Sequence, residues 1–439
     1  MRAIVVLVTL ATLFGTTFED VKPSGVVRVS GRAVADDRGE FPALGASLFW
    51  AAWAYKNDRA RLDAHLQLLA QHDFDYIRAL GVVGRQPYWA GREIDARWPA
   101  YDEVIAGLTD HAFDNYGLRV EWTIFGDADQ MVPAADERIR LVDRFVAMSK
   151  GREHKIMHFE LANESWQNGF EGPHGQDELR ALARRLDERT VIPVAISDSQ
   201  GHECADHLAL YEDVGVQILT EHFPRGSDGP AGRWGPVIAP WNVGECKGLP
   251  PVVSNNEPVG PRSSVESETE PVRVVAAAVV SWMAGVGLYV FHTDAGVWGR
   301  EPVTSMPGAT AALDGLAQAR TYVPAGVVNW QRHRRDSPAH PFTAAGAIEV
   351  FASIQDDQFF VAAVGVTDGV LQLTARRDLD FEVINPMTGA KGARQVVAAG
   401  GKSTLSGSGM IVLSGRFTSP AKSLVAGRSR NWARNAAHP

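Results

Sequence analysis

Cysteine, basic excess and long apolar runs are what this sequence has least of. Only two cysteines, Cys204 and Cys246, occur in 439 residues. That excludes a disulfide-dense scaffold and a four-thiolate zinc site. One bridge between them is open if the chain is exported; two inert thiols are the alternative. The cluster "HECADH" around Cys204 matches no standard ligand spacing, so no metal is expected there. A formal net charge of −9 argues against nucleic acid or an anionic membrane as partner, since both call for a basic face. No stretch approaches the length needed to span a bilayer. The apolar run from Ile4 to Phe14, behind Arg2, has instead the length of a signal-peptide core. Residues 1–17 are therefore expected to be a signal peptide, and the protein to be secreted or periplasmic. No Ser-His-Asp spacing and no His-Glu-x-x-His motif stands out, and the first strand-like run is followed by no glycine-rich phosphate loop.

What is present is a globular composition, 45% hydrophobic and 22% charged. The length suits one large domain with a small companion. After a Pro/Gly break, "VVRVSGRAV" and "EFPALG" flank the turn "ADDRG", which predicts a β-hairpin over 24–42. Strand-like and helix-like runs then alternate. The strand candidates are "ALGASLFW", "YIRALGV", "LRVEWTIFG", "KIMHFELA", "VIPVAIS", "VQILTEHF", "PPVVSNN" and "GLYVFHT". Between them lie amphipathic segments such as "DRARLDAHLQLLAQHD", with Leu62, Leu66 and Leu69 on one stripe. "PVRVVAAAVVSWMAG" is apolar almost all round, as a buried helix would be. Eight such β-α units most economically close into a (β/α)8 barrel, here over 43–325, with a doubly wound open sheet as runner-up. Beyond Ala325 the pattern becomes short alternating strands and turns, predicting a small antiparallel β domain over 326–418. The arginine-rich tail, 419–439, has no periodic pattern.

In such a barrel the side chains at the C-terminal ends of the strands face the active site. Those ends supply Arg78; Trp122 and Asp127; Asn163, Glu164 and Trp166; Glu221 and His222; Asn255, Asn256 and Glu257; then His292, Asp294 and Trp298. Glu164 and Glu257 close the fourth and seventh strands, which lie across the barrel mouth from one another. Two carboxyls facing over a cleft are what glycoside hydrolysis requires, one to protonate the leaving oxygen and one to attack or to activate water. Tryptophan rings can stack on sugar faces, and an amide can bind a sugar hydroxyl. Glu221 adjoins His222 and points to the other side of its strand, so only one of the two can face the cleft; His222 is the choice.

"ANES" after the fourth strand and "NNEP" after the seventh resemble the paired signature of the clan A glycoside hydrolases, of which the family 5 cellulases and mannanases are typical. "FDYIRALG" is similar to the clan's second strand, and "EHFP" to its sixth-strand His-x-Tyr-Pro element. The resemblance implies a cofactor-free retaining glycosidase acting on β-linked oligo- or polysaccharides. It implies Glu164 as acid/base, Glu257 as nucleophile, Asn163 as ligand of the sugar 2-hydroxyl, Arg78 as partner of Glu257, and His222 as a wall of the site. Asn256, His292, Trp122, Trp166 and Trp298 are further candidate substrate contacts, with Asp127 and Asp294 as lesser ones. Phe223 departs from the pattern: the clan often has a tyrosine there, so a hydroxyl that could touch the nucleophile is missing or comes from elsewhere. Each residue also has a structural reading: Glu164 as a helix N-terminal carboxylate, Glu257 as a turn residue before Pro258, Arg78 in an ion pair, His222 and Trp298 as core. The rival functions are a non-catalytic carbohydrate-binding barrel and a transglycosylase using the same residues.

Overall fold

The computed structural model describes residues 23–84, 87–89, 91–242, 246–262 and 267–418. The expected signal peptide and the tail lie outside the described residues. Eight parallel strands form a closed barrel, as predicted. They are β1 (Ala43–Ser47), β2 (Tyr76–Val82), β3 (Arg119–Phe125), β4 (Ile156–Ala162), β5 (Val194–Ala195), β6 (Ile218–Glu221), β7 (Val252–Asn255) and β8 (Leu288–Phe291). Each strand pairs with its sequence neighbours, and β8 pairs with β1 to close the ring. The helices between them include Arg59–Gln71 and Ala135–Ser149, on the expected amphipathic stretches.

The barrel interior is layered. At the N-terminal mouth, Ala43, Tyr76, Met157, Ala195, Ile218, Val252, Leu288 and Val290 form an apolar plug. Gly45 makes room for it, since a Cβ there would stand 2.3 Å from the Tyr76 ring. The N-terminal segment closes this mouth from outside through Val27, Val34 and Phe41. It is a three-stranded sheet (Arg28–Ser30, Ala33–Asp36, Gly39–Phe41) rather than the expected two-armed hairpin. The first arm breaks at Gly31, whose φ of +61° makes a tight turn that a β-carbon would disfavour. Arg119, at the start of β3, pins the sheet by donating to Asp36 at 3.0 Å and to the Gly25 carbonyl at 3.0 Å.

The C-terminal segment folds as a six-stranded and a three-stranded antiparallel sheet. The five predicted strands are present. Four shorter ones were missed, among them Gln395–Val397 and Lys402–Ser406, which are brief and largely polar. The strand Gln358–Val366 explains how the two parts fit. Phe360, Ala362 and Val364 join the barrel's core, while Phe359, Val361 and Ala363 join a separate core between the two sheets. Alternation thus lets one strand serve two cores. The helix Pro271–Met283 is buried from Val274 to Met283, because barrel residues cover one side of it and this sheet the other. Trp241 stacks on Phe351 at 4.2 Å between ring centroids across the junction, and Ser353 Oγ donates to the Met283 carbonyl at 3.2 Å. Cys204 and Cys246 are joined as a disulfide, tying the start of the helix Cys204–Tyr211, after β5, to the loop after β6.

Phe351→Ala should cost about 3–5 kcal/mol, the range for deleting a buried aromatic ring. Because the ring belongs to the barrel's core, urea unfolding should show a single weakened transition. Loss of the C-terminal sheet alone, with the barrel transition unmoved, would refute the shared core.

Candidate active site

The floor of the barrel's C-terminal mouth is built around one buried cation. Arg78 projects inward from β2 and is fully buried. Its Nε and Nη2 donate to Glu160 Oε2 of β4 at 3.2 and 2.7 Å, and its Nη2 also donates to Asn163 Oδ1 at 2.8 Å. Its Nη1 donates to Glu257 Oε1 at 3.1 Å, and Glu121 Oε1 of β3 lies 3.2 Å from its Nε. Asn256 Nδ2 ties the two inner carboxyls together, at 2.8 Å to Glu121 and 3.1 Å to Glu160, and Thr123 donates its hydroxyl to Glu160. Burial opposes the charged guanidinium, but Glu160, Glu121 and Glu257 outweigh it and raise its pKa above the ordinary value.

Glu164 stands two residues past the end of β4, in a turn that the backbone holds in an uncommon conformation. Its φ is +41°, the left-handed region that a residue with a β-carbon seldom occupies. Neighbours keep it there: Asn163 N–H donates to Phe125 O at 2.9 Å, Ser165 N–H to Ser197 Oγ at 3.0 Å, and Asn168 Nδ2 to Asn163 O at 2.8 Å. Strain of this kind costs about 1–3 kcal/mol and persists where surroundings over-determine it. The result aims the Glu164 carboxyl at His222, whose Nδ1 is 3.3 Å from Oε1; Gln167 donates to the other oxygen. Glu257, at the exit of β7, comes from the opposite wall. One donor atom from each of Glu164, His222 and Glu257 lies within 4.8 Å of the other two. This is the one such trio of possible metal ligands among the described residues. A cation there would have to compete with the Arg78 and Arg225 guanidiniums for the Glu257 oxygens.

Electrostatics separates the groups. Burial acts to raise the Glu257 carboxyl, yet His222, His292, Arg78 and Arg225 together bring it far below the usual carboxylate range. Burial lowers His292 to about 3, so at neutral pH the stabilising cations are His222, Arg78 and Arg225. Burial also disfavours charged His222, but Glu257, Asp198 and Glu164 overcome it and raise the imidazole to about 9. Asp198 is pushed up to about 7, mainly by burial; its Oδ1 accepts the His222 backbone N–H at 2.9 Å.

A cavity of about 350 Å³ opens above these groups, lined in part by Asn163, Glu164, Glu257, His292 and Trp298. Arg78 and His222 lie beneath and beside it, touching Glu257 and Glu164 respectively. Asn256 is buried under the site on Glu121 and Glu160, so it braces the floor rather than facing substrate. Trp122 is a correction. Glu121 and Thr123 point into the barrel, so Trp122 between them points out, where its indole donates to Thr109 Oγ1 at 3.0 Å and its ring meets Phe145. Trp166 is half-buried and not in the cavity lining. Asp127 lines the cavity and accepts the Gly84 N–H at 2.6 Å. Glu221 faces away, between His202 and His207 at 2.8 and 2.9 Å. Sequence reasoning missed Trp89, which meets Trp298 edge-on at 5.2 Å in the cavity wall, together with Gln130, Gln167 and Asn168. It also missed Arg225, whose Nη1 donates to Glu257 Oε2 at 3.2 Å.

No family model matches the sequence, and no curated protein does. Solved structures do match in fold. A glycoside hydrolase family 5 protein from Bacteroides vulgatus ATCC 8482 aligns with a TM-score of 0.62 at 12% identity, over 90% of this chain and 94% of that one. A putative glycoside hydrolase from the same organism aligns with a TM-score of 0.63 at 12% identity, over 90% and 82%. The α-amylase of Geobacillus thermoleovorans also aligns, with a TM-score of 0.56 at 9% identity, over 86% and 99%. The fold is therefore one that solved glycoside hydrolases share, and it is broader than any one of their activities.

The raised His222 predicts a pH dependence of stability. A histidine titrating higher in the folded than in the unfolded state contributes fully below the unfolded value, near 6.5. That contribution disappears as pH rises through the folded value of about 9. Between pH 6.5 and 9 the wild type should lose about 2–3 kcal/mol on this account. His222→Gln should remove that part of the slope in urea titrations at the two pH values. Identical slopes would mean that His222 is not held charged.

Proposed function

We propose that this protein is a retaining glycoside hydrolase acting on β-linked oligo- or polysaccharides, with Glu257 as nucleophile and Glu164 as acid/base. The observation that carries the reading is the approach of the two carboxyls from opposite walls of the cavity, with oxygens within 4.8 Å. Carboxyls about 5–5.5 Å apart suit direct attack, whereas inverting enzymes hold theirs about 6.5–9.5 Å apart to admit a water. The electrostatics supports the role given to Glu257. Glu257 is kept ionised by the surrounding cations, as a nucleophile must be.

In the first step a Glu257 oxygen attacks the anomeric carbon as the bond to the leaving oxygen breaks, and Glu164 gives that oxygen its proton. In the second step Glu164 takes a proton from water, which attacks the same carbon and releases Glu257. Asn163, fixed by Arg78, is placed to accept or donate to a sugar hydroxyl at the cavity wall. Trp298 and Trp89 offer ring surface to a sugar face. The reading includes export, which the Cys204–Cys246 pairing favours because disulfides persist in oxidising compartments. Carbohydrate is the expected partner; among the described residues no helix is long and apolar enough to cross a membrane.

A panel of β-glycosides should release the retained anomer first when followed by NMR before mutarotation. Glu257→Ala should abolish turnover, with azide restoring part of it as inverted product. Glu164→Ala should slow natural glycosides by about 10²–10⁴-fold while sparing aryl glycosides whose leaving groups need no proton. An inverted first product would exclude Glu257 as nucleophile. Binding of a glycan with no turnover of any would favour a carbohydrate-binding barrel instead.

A further inference from the structure

Phe223, next to His222, is a buried ring with no hydroxyl to offer to Glu257. Two residues further on, Arg225 reaches the same carboxyl. Its Nη1 donates to Glu257 Oε2 at 3.2 Å and to the backbone carbonyl of Glu257 at 3.0 Å. Its side chain is 10% exposed, so the contact is largely shielded from water. Arg78 holds the other oxygen, Oε1, at 3.1 Å.

On the reading of the site given above, we propose that Arg225 is a positioning residue for Glu257. It makes this contact as a cation, where a neutral hydroxyl is the alternative kind of donor. Bridging Oε2 and the backbone oxygen of one residue restricts rotation of that side chain. With Arg78 on Oε1, the carboxylate plane is clamped from two sides, and attack needs little reorientation. The two donors differ in charge as well as position. A hydroxyl would orient the carboxylate, whereas a guanidinium also stabilises its negative form. The titratable and charged groups facing Glu257 are Arg78 from β2, Glu164 from the turn after β4, His222 and Arg225 from the segment after β6, and the neutral His292 from the end of β8. Asp198 acts through His222, 3.7 Å away. Of the cations among these, Arg225 is the one on the Oε2 side that stays charged at every accessible pH.

Three variants separate position from charge: Arg225→Leu, Arg225→Lys, and the double change Phe223→Tyr with Arg225→Leu. Glu257 is titrated directly by NMR on protein labelled with ¹³C at the glutamate carboxyls, with Glu257→Gln for assignment. The acidic limb of kcat/KM is measured on an activated aryl β-glycoside. In Arg225→Leu the Glu257 midpoint and the acidic limb should both move up by about one pH unit or more. Its kcat should fall about 10- to 100-fold with KM nearly unchanged. Arg225→Lys should keep the limb near its wild-type position. The double variant should recover kcat but leave the limb raised, because a hydroxyl restores position without charge. An unmoved Glu257 midpoint in Arg225→Leu would overturn the proposal, whatever the variant's stability. If the wild type cleaves no glycoside while the midpoint still moves, Arg225 keeps its role and the hydrolase reading fails instead.

Discussion

Burial of the Arg78 guanidinium governs this molecule's chemistry. Removing such a group from water costs several kcal/mol unless its hydrogens are met by acceptors in good geometry. Meeting them takes groups from several strands: Glu160 and Asn163 at β4, Glu121 from β3 and Glu257 from β7. The barrel must close with these strands in one register for the cation to be tolerated. The same contacts that satisfy Arg78 orient Glu257 and Asn163 toward the cavity. Structural and functional demands therefore fall on one guanidinium, and neither can be relaxed without the other.

Around this floor the site is asymmetric. Glu257 is enclosed by cations and gripped at both oxygens, whereas Glu164 is partly exposed, on a turn with positive φ, and is met by an imidazole and an amide. One carboxyl is fixed and the other is held at a strained corner. Two glutamates with the same intrinsic chemistry acquire different environments because one strand exit is braced from the barrel interior and the other from loops.

Much of the architecture could be read from the sequence because it is written in period. All eight barrel strands lie within their predicted runs, and the all-round apolar helix Pro271–Met283 is buried as its composition requires. The two glutamates stood out because a carboxyl at the end of an apolar strand lacks a packing reason. What failed did so for physical causes. Trp122 was counted among the residues at the strand ends, against the alternation that puts it between two inward residues. Glu121 and Glu160 sit inside apolar runs, and only the three-dimensional meeting with Arg78 explains them. Arg225 and Trp89 lie in segments without periodicity, where the path of the backbone rather than any local pattern decides what a side chain reaches. The divided hairpin at the N-terminus was hidden by a single glycine.

The strand Gln358–Val366 has almost no face left for water. One side completes the barrel's core and the other completes the core between the C-terminal sheets. It also comes late in the chain, well after the helix it covers. During synthesis the barrel residues emerge first, and Pro271–Met283 then presents an apolar surface whose cover has not yet been made. The nascent chain is thus at its most adhesive when nearly all of the barrel is already outside the ribosome, and it stays so until the last strands arrive. Between those two events the uncovered helix face, rather than the stability of the finished fold, is where wrong contacts would form.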